Sequence, residues 1–164
     1  MAPTTIYLAS PLGFSPENSP YRERVKERLK ELGCTVFDPW EQGQFAGEIA
    51  AASSLESYGE RVAAFRRIAG GIGRCNEAGI RGSDLLLAVL DGAEVDSGTA
   101  SEVGFASALG KPCYGLRTDL RECGDFVGIP VNLQVLHFIE GSGGALFRSI
   151  GEISFDPPRG AGNP

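Results

Sequence analysis

Histidine is almost absent from this 164-residue chain: the one example, His137, lies in the apolar run VLHFI, where a core or interface role outweighs a catalytic one. Cysteine is sparse as well. Cys34, Cys75, Cys113 and Cys123 show no C-x-x-C spacing, and Cys34 and Cys113 sit in apolar strand-like runs, which argues against both disulfides and zinc. No stretch of about 18 apolar residues occurs, and the start MAPTT lacks the charged-then-apolar pattern of a secretory signal, so a cytoplasmic location is expected. Positive charge is in deficit, with 15 Lys and Arg against 21 Asp and Glu. The resulting net charge of -6 and pI near 4.8 would repel phosphate backbones and anionic lipid, which excludes nucleic-acid polymers and membrane surfaces as natural partners. Phosphate-cradling G-x-G-x-x-G and G-x-x-x-x-G-K-[ST] loops are also missing. What is left is chemistry carried by carboxylates on a small neutral ligand, with no metal and no cofactor implied.

What is present reads as one α/β domain. With 42% hydrophobic residues the chain can bury one core but not two, so residues 1–153 are expected to form a single domain and 154–164 a disordered tail. TIYLAS reads as a buried first strand stopped by Pro11-Leu12-Gly13, and Val25, Leu29 and Leu32 recur at helical spacing before Gly33. CTVFDPW is a second strand. Residues 41–56 are open between a loop and a short helix, a helix follows from about Leu55 to Ile80, and LLLAVLDG is an unbroken apolar run of the kind found in parallel sheets covered on both faces. A helix at 99–109, a strand at 112–117, a strand near 131–139 and a final helix near 143–150 complete an alternating order. That order predicts a doubly wound sheet of about five parallel strands with helices on both faces. Ligands of such sheets bind beyond the carboxyl ends of the strands, where Ser10, Trp40 and the loop Asp91–Thr99 would gather.

The segment DGAEVDSGTASEVGFASALGKP, residues 91–112, is the most informative. T-A-S-E from Thr99 is a capping box, which gives Glu102 a structural reading at the start of a helix. Free backbone N–H groups and the helix dipole there would keep its carboxylate ionised, so the same side chain is also a nucleophile candidate. Asp91 and Asp96 crowd one loop at an electrostatic cost that a purely structural turn has no reason to bear. Gly92 and Gly98 leave room for a ligand.

Together YLASPLGF, N-E-A-G-I-R-G-S-D at 76–84, the 91–112 segment and N-L-Q at 132–134 resemble the nucleoside 2-deoxyribosyltransferase family over roughly residues 5–150. The resemblance implies a flavodoxin-like fold, transfer of a 2-deoxyribosyl group between purine or pyrimidine bases, and a homo-oligomer, dimer-based and up to a hexamer, that shares its active sites. By position Glu102 matches the family's nucleophile, Asp96 the reader of sugar hydroxyls, and Tyr7 the first-strand tyrosine that supports the nucleophile. Asn132 and Gln134 match positions that a neighbouring subunit supplies, and Phe14 an aromatic that packs on the base. Asn76 departs from the pattern, because several relatives carry an aspartate there that protonates the leaving base, whereas an amide only hydrogen-bonds. Asp91 is then an alternative source of that proton. Ser10, Asp91 and Gly98 complete the expected binding set. Two rivals stand beside the transferase: an N-glycoside hydrolase of nucleosides or deoxynucleoside 5′-monophosphates, and a noncatalytic nucleoside-binding module in which Glu102 is only a cap.

Overall fold

Aliphatic runs become strands wherever both faces of the sheet are covered. In the computed structural model, which describes residues 3–155, these runs are β1 (Thr5–Ala9) and β3 (Leu85–Val89). They lie side by side at the centre, with β2 (Thr35–Phe37) outside β1 and with β4 (Cys113–Leu116) and β5 (Leu146–Phe147) beyond β3. Every pairing is parallel, and the order β2-β1-β3-β4-β5 is that of flavodoxin-like doubly wound sheets.

Side chains alternate across the sheet, so each strand feeds two cores. Ile6, Leu8, Leu85, Leu87, Val89 and Leu116 pack with Val25 and Leu29 of α1 (Ser19–Glu31) on one face. Tyr7, Ala9, Leu86, Ala88 and Leu90 meet Ile80, Val103 and Ile139 on the other, beneath α3 (Tyr58–Gly82), α4 (Ser97–Ala108) and α5 (Leu133–Gly141). Residues 41–56 resolve into 3₁₀ turns and the short helix α2 (Ala46–Ser53), which packs on α3 through Ala52, Ala64 and Ile68. Gly71 on α3 makes room there: a Cβ at that position would lie 2.8 Å from the Phe45 ring.

Two expectations fail at the C-terminal end. The strand expected near 131–139 is helix α5, and the helix expected near 143–150 gives way to strand β5 and a 3₁₀ turn at Ile150–Glu152. The Asn132 side chain decides the first, since its Oδ1 accepts from the amides of Gln134 and Val135 and caps α5. A close crossing decides the second. A Cβ on Gly144 would lie 1.7 Å from the Cys113 carbonyl oxygen, so the chain passes directly over β4 and then pairs with it.

His137 is exposed on α5 rather than in the core, and all four cysteines are free. Phe155 packs on Tyr114 and Phe147, which continues the packed chain past 153, and the rest of the expected tail, 156–164, lies outside the described residues. Among the described residues no helix is long and apolar enough to cross a membrane.

Candidate active site

The connection after β1 runs to α1 on one face and the connection after β3 to α4 on the other, which opens a crevice between their carboxyl ends. A cavity of about 360 Å³ fills it, lined by Ser10, Phe14, Pro39, Trp40, Ile72, Asn76, Asp96, Gly98, Thr99 and Glu102. This size and the mixture of aromatic walls with a few polar groups suit a small organic ligand.

Glu102 stands in the second turn of α4, not the first, because the helix begins at Ser97. The N-cap is Asp96, whose Oδ2 accepts from the Thr99 amide at 2.9 Å and the Thr99 hydroxyl at 3.3 Å. The expected Thr99–Glu102 capping box is therefore not formed, and the reading of Glu102 as a cap falls with it. Its support comes instead from the floor of the sheet. Tyr7, fully buried in β1 and stacked on Phe37 at 5.5 Å, donates its hydroxyl to Glu102 Oε1 at 2.6 Å.

Electrostatics follow from this burial. Desolvation pushes the Glu102 carboxyl above the ordinary carboxylate range and the Asp96 charge adds to the rise, while the Tyr7 hydrogen bond opposes it. The expectation that a helix terminus keeps Glu102 ionised is thus corrected: one phenol holds the charge against burial. Tyr7 is pushed up in turn, by burial first and then by the Glu102 charge, so it stays a donor. Gly98 belongs to the same device, since a Cβ there would lie 3.1 Å from Asp96 Oδ2 and crowd the carboxylate.

The opposite wall is aromatic. Trp40 donates its indole N–H to the Ser10 carbonyl at 2.7 Å and meets Phe14 edge-on at 4.6 Å. Its backbone amide is held by Asp38 Oδ1, whose own carboxyl is raised by burial. Phe14 is 74% exposed, so its face is available at the cavity mouth. Ser10 is committed to the wall itself, its Oγ accepting from the Leu12 amide. Asn76 lies on α3 one turn after Ile72, and its Oδ1 is buried with no hydrogen-bond partner among the described residues.

A family model described as nucleoside 2-deoxyribosyltransferase matches residues 6–134, well over half of the chain. The chain belongs to this family. Among solved structures, a conserved protein from Enterococcus faecalis V583 is similar with 27% identity and a TM-score of 0.65, over 92% of this chain and 94% of that one. A 2-deoxyribosyltransferase from Leishmania mexicana follows at 27% identity and a TM-score of 0.60, over 90% and 91% of the two chains. The corresponding figures for the 2-deoxyribosyltransferase of Bacillus psychrosaccharolyticus are 25%, 0.57, 91% and 89%. No curated protein matches.

Against the deoxyribosyltransferase pattern, seven of the residues expected at the site meet at the cavity: Ser10, Phe14, Asn76, Asp96, Gly98 and Glu102 line it, and Tyr7 supports it from below. Three do not. Asp91 faces the loop after β4, where Oδ1 accepts from the amides of Thr118 and Asp119 and Oδ2 from the hydroxyls of Tyr21 and Thr118. With its oxygens so occupied it does not line the cavity and is no source of a proton there. Asn132 caps α5 and borders a different cavity, and Gln134 is exposed on α5. Pro39 and Ile72 were not among the expected site residues, nor was Trp40 assigned a binding role. The D-P-W ending of the second strand, and the one-turn spacing of Ile72 from Asn76, were the signals available for them.

Proposed function

We propose that the protein moves a 2-deoxyribosyl group between nucleobases through a covalent glycosyl-Glu102 intermediate with net retention. Breaking the N-glycosidic bond develops positive charge at C1′ of the sugar. A Glu102 oxygen adds to C1′ as the C1′–N bond breaks, and that bond's electron pair leaves with the base. A ring nitrogen of a second base then attacks C1′ from the face the first base left, Glu102 departs as carboxylate, and the ring N–H proton of the second base passes to water, which balances the proton the first base takes up. Tyr7 positions the nucleophile and limits the rise of its pKa. Asp96 keeps Oδ1 free of partners among the described residues, so it can accept from a sugar hydroxyl while Oδ2 caps α4. Trp40, Phe14 and Ile72 enclose the base, and Asn76 orients it by hydrogen bonding, with the leaving base taking its proton from water.

The observation that carries this reading is the Tyr7–Glu102 pair sharing one aromatic-walled cavity with Asp96. It supports a nucleophile more than a cap, since the capping is done by Asp96. Asn132 and Gln134 enter the reading as residues of a second copy, which accords with their position away from this chain's own cavity. The test is base exchange: incubation with deoxyinosine and free adenine should yield deoxyadenosine. Free hypoxanthine without exchange would make the protein a hydrolase, and no turnover with any nucleoside and base pair would sink the enzymatic reading.

A further inference from the structure

We propose that Arg117 is a positioning residue which sets the place of Asp96 by locking the loop after β3 to the loop after β4. This rests on the function proposed above, in which Asp96 reads the sugar. Arg117 directly follows β4 and is only 1% exposed, the largest fully buried side chain among the described residues. Its guanidinium forms no ion pair within 4.0 Å among the described residues. Main-chain carbonyls replace the missing anion: Nη1 donates to Leu90 at 2.5 Å and to Gly92 at 3.1 Å, and Nη2 donates to Arg121 at 2.8 Å.

A buried cation held by peptide dipoles tolerates little displacement of them, because each lost carbonyl leaves buried charge without a partner. There is no slack in this arrangement, since Nε is already buried without a partner. The three carbonyls belong to two loops. Leu90 and Gly92 lead to Asp96 four residues later, and Arg121 lies on the loop that leads to Asn132. Beside the brace, a cavity of about 210 Å³ lies between these loops, bordered by Glu94, Val95, Cys123, Asp125 and Arg117. Side chains therefore do not fix the spacing there by close packing; Asp91 ties the start of the two loops through Thr118 and Asp119, and the Arg117 brace holds them further along, next to the cavity. Lysine could not replace the fork, because one ammonium on a flexible stem cannot hold three carbonyls in separate directions.

The experiment compares wild type with Arg117→Lys and Arg117→Gln. Trp40 is the only tryptophan and lines the cavity, so its fluorescence reads deoxyinosine binding separately from base exchange. A contact made equally in ground and transition states acts on KM alone, so we expect Kd and KM to rise about tenfold with kcat within about threefold. A merely structural Arg117 would reduce the folded fraction, lowering kcat and fluorescence amplitude while KM stayed put, and that result overturns the proposal. Hydrogen exchange needs no ligand. Amides of 92–96 and of 118–124 should exchange faster together in either variant, and faster exchange confined to 117–121 would also overturn it. If both loops loosened while the wild type neither bound nor turned over any nucleoside, the brace would stand and the proposed function would fall.

Discussion

Asp91 and Glu102 lie in one segment and both accept hydrogen bonds, yet they are opposites. Asp91 takes four donors, from Tyr21, Thr118 and Asp119, and its oxygens are spent on joining β3 to its neighbours. Among the described residues Glu102 takes one donor, Tyr7 on Oε1, which leaves Oε2 uncommitted on a residue that lines the cavity. A carboxylate saturated by donors is a joint, whereas one that is buried and undersupplied is poised to be satisfied by something else, in the proposed function a developing cation. The number of donors, more than proximity in sequence, separates structural acids from reactive ones.

That contrast can be broken at either end. Glu102→Ala should abolish base exchange, by at least about 10³-fold in kcat/KM, with the circular dichroism spectrum retained, because removing a nucleophile removes its whole pathway. Near-normal exchange would refute the assigned mechanism. Asp96→Ser should weaken use of free nucleosides by roughly 10- to 100-fold while improving tolerance of a 5′-phosphate, since a like charge no longer repels it. Equal losses with both substrates would remove Asp96 as a reader of the sugar's 5′ end. Asp91→Ala should do the reverse of Glu102→Ala, costing about 2 kcal/mol in denaturant unfolding for its stranded donors and less than tenfold in exchange by the folded enzyme.

The pH dependence sharpens the comparison further. In the proposed mechanism Glu102 must be ionised to attack, and its raised pKa then places the acid limb of kcat/KM above the usual carboxylate range. Tyr7→Phe removes the one contact that lowers this pKa, so the limb should move further up, and a downward move would contradict the assigned donor. Stability carries the opposite sign. A carboxyl whose folded pKa is raised favours folding below its unfolded pKa and loses that contribution as pH rises through the folded value. Glu102→Gln should therefore raise Tm by a few degrees at neutral pH, with the gain gone near about pH 4, as thermal scans at the two pH values would show.

The central part of this arrangement was legible in the sequence because strands and glycine-flanked acids leave strong local signals. LLLAV reads as a covered strand because Ser83-Asp84 and Asp91-Gly92 bound it as turn signals, and its register with TIYLA sets Tyr7 near the helix that follows. The helix start was misplaced for a specific reason: D-S-G-T and T-A-S-E both fit an N-cap pattern and lie three residues apart. Burial of Thr99 and the free approach at Gly98 favour Asp96, and neither shows in a linear pattern. VLHFI failed as a strand because a short apolar run carries no period of its own, and the cap supplied by Asn132 decided it. Arg117 was invisible for a deeper reason. Nothing local marks an arginine as buried, since its partners are backbone carbonyls of residues far along the chain.

The Tyr7–Glu102 hydrogen bond joins residues 95 positions apart. Such a contact forms only once β1 and β3 have paired and α4 has docked, because the intervening chain must first surrender its loop entropy. On the proposed mechanism the polypeptide thus becomes reactive at the same moment that it becomes compact. A growing or half-folded chain carries the same glutamate, but in water and without its phenol, where it has no means to capture a sugar and strand it as an adduct on an unfinished protein.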